Sequence, residues 1–133
     1  MDIACKDHLQ GDEEIIEKLL SYLRQNFPRL KFKSKVLLRE LFPEPKGRYL
    51  KSIWSHGHGD ICVFRHNKLV CIIEPGGSAH FKDEKQKDRD RRKDKLCREN
   101  GVNCLRVSNS FVNYFSKLIT KKLLKKYFYS LFR

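Results

Sequence analysis

The chain reads as an α/β protein built on one mixed sheet. Three observations predict this. Helical and extended apolar patterns alternate as α-β-β-β-α-β with a further helix behind them. The extended segments are short and rich in β-branched residues. The length of 133 residues suits a single domain with one modest core. That domain spans 1–133, with its core over about 13–108 and a C-terminal helix over about 109–132.

The first helix is expected over 12–25, "DEEIIEKLLSYLRQ", because Ile16, Leu19, Leu20 and Leu23 recur at helical spacing, Asp12 is an N-cap candidate and Pro28 ends the run. A strand follows over 30–38, where apolar and basic residues alternate. Prolines and glycines punctuate 42–59, which reads as the longest irregular connection. "DICVF" and "LVCIIE" form a hairpin around "RHNK", closed by "PGGS". The charge-dense stretch 84–100 is a solvated second helix stopped by Gly101, and 102–107 is a short strand. In the C-terminal helix Val112, Phe115, Ile119, Leu123 and Tyr127 share one face, and the lysines point away from it.

Composition narrows the function. There are 29 Lys and Arg against 16 Asp and Glu, a formal net charge of +13, which points to a polyanionic partner. Nucleic acid leads, and an acidic membrane surface comes second. No acid follows Glu99, so the C-terminal third is a basic strip. The five cysteines form no CxxC pair and sit mostly in apolar runs, as expected of buried free thiols in a reducing compartment. With neither a signal-peptide core nor the roughly 18 apolar residues of a membrane span, the expectation is a soluble cytoplasmic protein, or a nuclear one in a eukaryotic or viral setting.

The hairpin carries the chemistry. If it turns through a three-residue loop, His66-Asn67-Lys68, then Asp60 lies directly opposite Glu74, with Cβ atoms about 5 Å apart on one face. Two such charges repel unless a proton or a cation intervenes. A hard divalent ion fits, since Mg²⁺ (or Mn²⁺) takes one or two carboxylates plus waters and phosphate oxygens. A plainer reading has Asp60 cap a turn and Glu74 end a strand, each paired with a nearby cation. A two- or four-residue loop without a bulge would separate the acids.

The element order, the Asp opening the second strand and the Glu in the third resemble the PD-(D/E)XK nuclease superfamily, whose core is αβββαβ, a restriction-endonuclease-like fold. The wording "IIEPGGSAHF" and "KQKDRDRRKDKLCRENGVNCLRV" is similar to its branch of very-short-patch-repair (Vsr-like) endonucleases, through His80, Arg89, Asp90, Asp94, Gly101, Leu105, Arg106 and Val107. The resemblance implies a metal-dependent endonuclease acting on DNA, RNA being the less favoured polymer. Asp60 and Glu74 would hold Mg²⁺, His80 would transfer protons or ligate, and a first-helix acid, Glu17 (or Glu13 or Glu14), would face the site. Gly76 departs from the pattern: the superfamily usually has Lys there and this branch often Asp. Its role then passes to His80 or to a helix cation such as Lys85 or Arg89, or else the chain is a weakened or inactive relative that only binds nucleic acid.

Other signals are weaker. "HGHGDIC" lacks a fourth zinc ligand at a usual spacing, so His56 and His58 are read as lining the approach to Asp60. Lys85, Arg89 and Arg92 on the second helix and Lys121, Lys122 and Lys125 on the last are the candidate phosphate contacts, although charge runs of this kind usually form solvated i,i+4 networks. Cutting both strands with one small site would favour a homodimer or sequential nicks.

Overall fold

The computed structural model describes residues 2–76 and 83–108, together with 126 and 129. Its elements are α1 (Asp2–Asn26), β1 (Lys31–Leu37), α2 (Leu38–Leu41), α3 (Arg48–His56), β2 (His58–Arg65), β3 (Lys68–Gly76), α4 (Glu84–Glu99) and β4 (Asn103–Ser108). The strands form one sheet in the order β1-β2-β3-β4. β2 is antiparallel to both neighbours, and β4 runs parallel to β3, so the sheet is mixed as the sequence indicates. The expected helix over 109–132 lies outside the described residues except at 126 and 129. Among the described residues no helix is long and apolar enough to cross a membrane.

Two apolar clusters sandwich the sheet. On one face Ile16, Leu19, Leu20 and Leu23 of α1 pack on Phe32, Ile61, Val63, Cys71, Ile73 and Val107. On the other, Leu50 of α3 and Leu96 and Cys97 of α4 pack with Leu38, Phe42, Cys62, Ile72 and Val102. Cys62, Cys71 and Cys97 are buried free thiols and Cys104 a half-buried one.

Two boundaries differ from expectation. α1 already begins at Asp2, so Asp12 lies inside the helix rather than capping it. Gly11 costs about 1 kcal/mol in a helix interior, too little to stop one that is anchored downstream by three leucines. The stretch 42–59 is not irregular throughout. Its prolines and Gly47 are confined to 43–47, after which Leu50, Ile53 and Trp54 recur at helical spacing and form α3, with Trp54 Nε1 donating to the carbonyl of Phe42 at 2.9 Å. Gly57 ends α3; a Cβ there would stand 2.6 Å from the carbonyl oxygen of Ile53.

The hairpin register decides where the acids go. The loop is two residues long, His66-Asn67, both with positive φ (50° and 64°), between the paired Arg65 and Lys68. Such a loop alone would send Asp60 and Glu74 to opposite faces. Between Val63 and Phe64 the register shifts: Phe64 pairs with Leu69 but Val63 pairs with Cys71, leaving Val70 as the extra residue of a bulge. From there the ladder runs Cys62 with Ile72 and Ile61 with Ile73, so the next step sets Asp60 against Glu74. The three-residue loop is thus replaced by a shorter loop plus a bulge, with the same result for the acids.

Asn67 tolerates its left-handed conformation better than a branched residue would. Asn67→Val is expected to cost about 1–2 kcal/mol and Asn67→Gly to gain up to about 1 kcal/mol. Urea-unfolding midpoints check this order.

Candidate functional site

Alternation along the strands puts Glu74 of β3 and Arg106 of β4, which are register partners, on the sheet face covered by α4. α4 is fixed there from two sides. Arg106 of β4 reaches Asp94 (Nη1 to Oδ1, 2.6 Å) and Asp90 (Nε to Oδ2, 3.5 Å), and also donates to the Asp90 carbonyl at 3.2 Å. Arg92 donates to Ser52 Oγ at 2.7 Å and to the Tyr49 carbonyl at 3.3 Å, both on α3. Lys93 lies between these two anchored neighbours, so its side chain has little freedom. It reaches down to Glu74.

There the Lys93 ammonium donates to Glu74 Oε1 and, at 2.7 Å, to the carbonyl of His58. The second oxygen of Glu74 accepts from the backbone N–H of Asp60 at 3.2 Å. His58 Nε2 stands 3.1 Å from Asp60 Oδ1. The Glu74 side chain is 9% exposed and that of Lys93 15%, whereas Asp60 at 22% and His58 at 49% open toward solvent. The corner is dry at its base and wet at its mouth.

The electrostatics follow from that burial. Glu74 is pushed up to about 7, first by burial and then by the neighbouring Asp60 carboxyl group, against the opposing pull of Lys93. Burial lowers the Lys93 pKa, but the charge and hydrogen bond of Glu74, followed by Asp60, outweigh it and hold the ammonium charged. Burial, followed by the Lys93 charge, lowers His58 below its ordinary value and keeps the ring neutral at neutral pH. Two carboxyl groups therefore share one buried cation, and the corner lacks one positive charge when both ionise.

That deficit is what a hard cation would fill. Among the described residues no group of three or more His, Cys, Asp or Glu is arranged to hold a metal ion. Mg²⁺ needs no such group, because waters and phosphate oxygens complete its shell beside one or two carboxylates. Asp60 and Glu74 fit it by donor type and by their unmet charge.

The other expected residues are distributed as follows. Glu17 does not join the corner: it is exposed on α1 beside Glu13, Glu14 and Lys18, while the apolar side of that helix covers the opposite face of the sheet. The helical repeat that buries Ile16, Leu19, Leu20 and Leu23 turns Glu17 outward. Glu13 instead contacts Lys35 of β1 at 3.4 Å. Lys85 and Arg89 are exposed on α4. Arg92 is held by α3 and by Asp88, 2.8 Å from its Nε. His80, Lys121, Lys122 and Lys125 lie outside the described residues.

Lys93 is the residue that sequence reasoning passed over. The signal was available: Lys93 stands three and four positions before Leu96 and Cys97, the buried residues of α4, so it shares their inward face. The neighbouring acids are consumed in pairs with Arg92 and Arg106. The fold and this corner define the chain as an α/β protein with a mixed sheet and a buried carboxylate–lysine cluster at the open end of its central hairpin. No family model matches the chain, and no curated protein or solved structure with which it was compared matches either.

The raised Glu74 has a thermodynamic signature. The folded chain retains a proton that the unfolded chain releases between pH 4.5 and about 7. The associated stabilisation is complete below pH 4.5 and is lost as pH rises through about 7. In the presence of chelator, the Tm of the wild type is expected to fall across this window relative to Glu74→Gln, which has no proton to lose. Parallel Tm–pH curves for the two proteins would contradict the assignment.

Proposed function

We propose that this chain is a metal-dependent endonuclease of the PD-(D/E)XK type that hydrolyses phosphodiester bonds of DNA. The observation that carries the reading is the convergence of Asp60, Glu74 and Lys93 at one buried corner of a strongly basic chain. Asp60 and Glu74 would hold Mg²⁺ (or Mn²⁺). When bound, such an ion polarises a phosphoryl oxygen and makes water a better nucleophile at neutral pH.

The chain's own groups supply the rest. Lys93 uses two of its three N–H donors on Glu74 and the His58 carbonyl, so a third is left for a water or a non-bridging phosphate oxygen. Its charge is kept by the carboxylates and would offset the negative charge that builds up in phosphoryl transfer. His58 braces the Asp60 carboxyl group at the mouth of the site. The surplus of basic side chains draws the polyanion to the surface and makes its affinity fall with salt. Lys93 also answers the departure at Gly76, since an ammonium delivered from α4 takes the place of the one the strand lacks.

A second reading, a nucleic-acid-binding protein that has lost cleavage, is favoured by Gly76 and by the engagement of both Glu74 oxygens, one by Lys93 and the other by the Asp60 N–H. Cleavage of plasmid and oligonucleotide DNA with Mg²⁺ separates the two. Asp60→Ala, Glu74→Ala and Lys93→Met are each expected to lower the rate by about 100-fold or more. Activity that survives both carboxylate substitutions would belong to a contaminant and end the first reading. Salt-sensitive binding without any cleavage by the wild type would establish the second.

A further inference from the structure

On the α3–α4 side of the molecule a tyrosine stands out of the surface. Tyr49, in the first turn of α3, is 43% exposed, while its neighbour Leu50 is 5% exposed and serves the core. The ring is not left to move freely. The Arg92 guanidinium lies 4.6 Å from its centroid and the Lys95 ammonium 5.6 Å from it. Arg92 is itself held by Ser52 Oγ, by the Tyr49 carbonyl and by Asp88, so the aromatic surface and its cation form one fixed ledge. Lys46 and Arg48 are exposed beside it, and among the described residues none of Lys46, Arg48 and Lys95 pairs with a carboxylate.

The ledge lies close to the carboxylate corner. α3 runs from Tyr49 to His56, about 10 Å at the helical rise, and Gly57 then leads into His58 beside Asp60. Both features belong to the side of the sheet covered by α3 and α4. A single polynucleotide strand could lie across both.

We propose that Tyr49, flanked by Arg92 and Lys95, is a stacking station for an unpaired base of single-stranded DNA whose backbone continues to the Asp60–Glu74–Lys93 corner. This rests on the nuclease reading and specifies its substrate class. A base within a duplex is already stacked on both faces and presents only its edges to a protein surface, whereas an unpaired base offers a π-face to the ring. The ring supplies a sequence-tolerant contact. Lys46, Arg48 and Lys95 would meet the phosphates on either side, while Arg92, held in place, strengthens the stack through the ring's negative face.

Fluorescence anisotropy in EDTA, where no cleavage occurs, tests the station with a labelled oligothymidylate and a labelled blunt duplex of equal length. Tyr49→Ala is expected to weaken oligothymidylate binding about 5- to 100-fold, to leave duplex binding within about twofold, and to leave the salt slope unchanged. Tyr49→Trp should bind the single strand at least as well as the wild type, which guards against a folding defect in the alanine variant. Lys95→Ala should reduce the single-strand salt slope by about 0.7. The proposal is overturned if Tyr49→Ala binds oligothymidylate as the wild type does, if it weakens both probes alike, or if the wild type binds neither. Tyr49-dependent binding without Mg²⁺-dependent cleavage would retain the station and end the nuclease reading. Cleavage with Tyr49-independent binding would do the reverse.

Discussion

β3 carries one residue more than the stretch of β2 it pairs with, and the geometry of the carboxylate corner depends on where that residue sits. Val70 forms the bulge, and both it and Cys71 pack toward α1. The bulge sets Ile61, Val63 and Ile73 beneath α1 and Cys62 and Ile72 beneath the other helices, all with no exposed surface. Each large apolar side chain buried in this way is worth about 1.5–3 kcal/mol. Raising a carboxyl group from 4.5 to about 7 costs about 3 kcal/mol at most. Apolar burial therefore fixes the register, and the close approach of Asp60 and Glu74 is a consequence that the sheet can tolerate.

α4 completes the corner by spending its charges in an ordered way. Asp90 and Asp94 bind Arg106 on the sheet, Asp88 binds Arg92, and Arg92 binds α3. Lys93 is the cation directed inward between them. Breaking a buried ion pair of this type is usually far more costly than the pair is worth, because the remaining charge has no water to return to. Burial pushes the Glu74 carboxyl up to about 7, so taking up a proton relieves part of that penalty.

Several elements were legible in the residues alone. The leucines of α1, the β-branched runs of the hairpin and the Gly101 stop each report a local preference strong enough to survive folding. α3 is masked by the breakers Pro43, Pro45 and Gly47 immediately before it, although Leu50, Ile53 and Trp54 carry the helical spacing. The family resemblance turns Glu17 toward the site, whereas the apolar repeat of Ile16, Leu19, Leu20 and Leu23 around it turns it outward. Lys93 was lost in a run of cations, of which its phase with Leu96 and Cys97 singles it out.

Composition and periodicity by themselves determined a basic α/β chain with a mixed sheet and named the two acids that would face each other, because charge balance and side-chain alternation are properties of short stretches. Only the tertiary structure decided that the acids do meet, that a lysine from a helix nineteen positions away closes on one of them, and that Tyr49 stands beside Arg92 and Lys95. Those outcomes depend on a one-residue slip in strand pairing and on the docking of one helix against the sheet and another helix. Both are settled by the summed burial of many side chains, which no local stretch encodes.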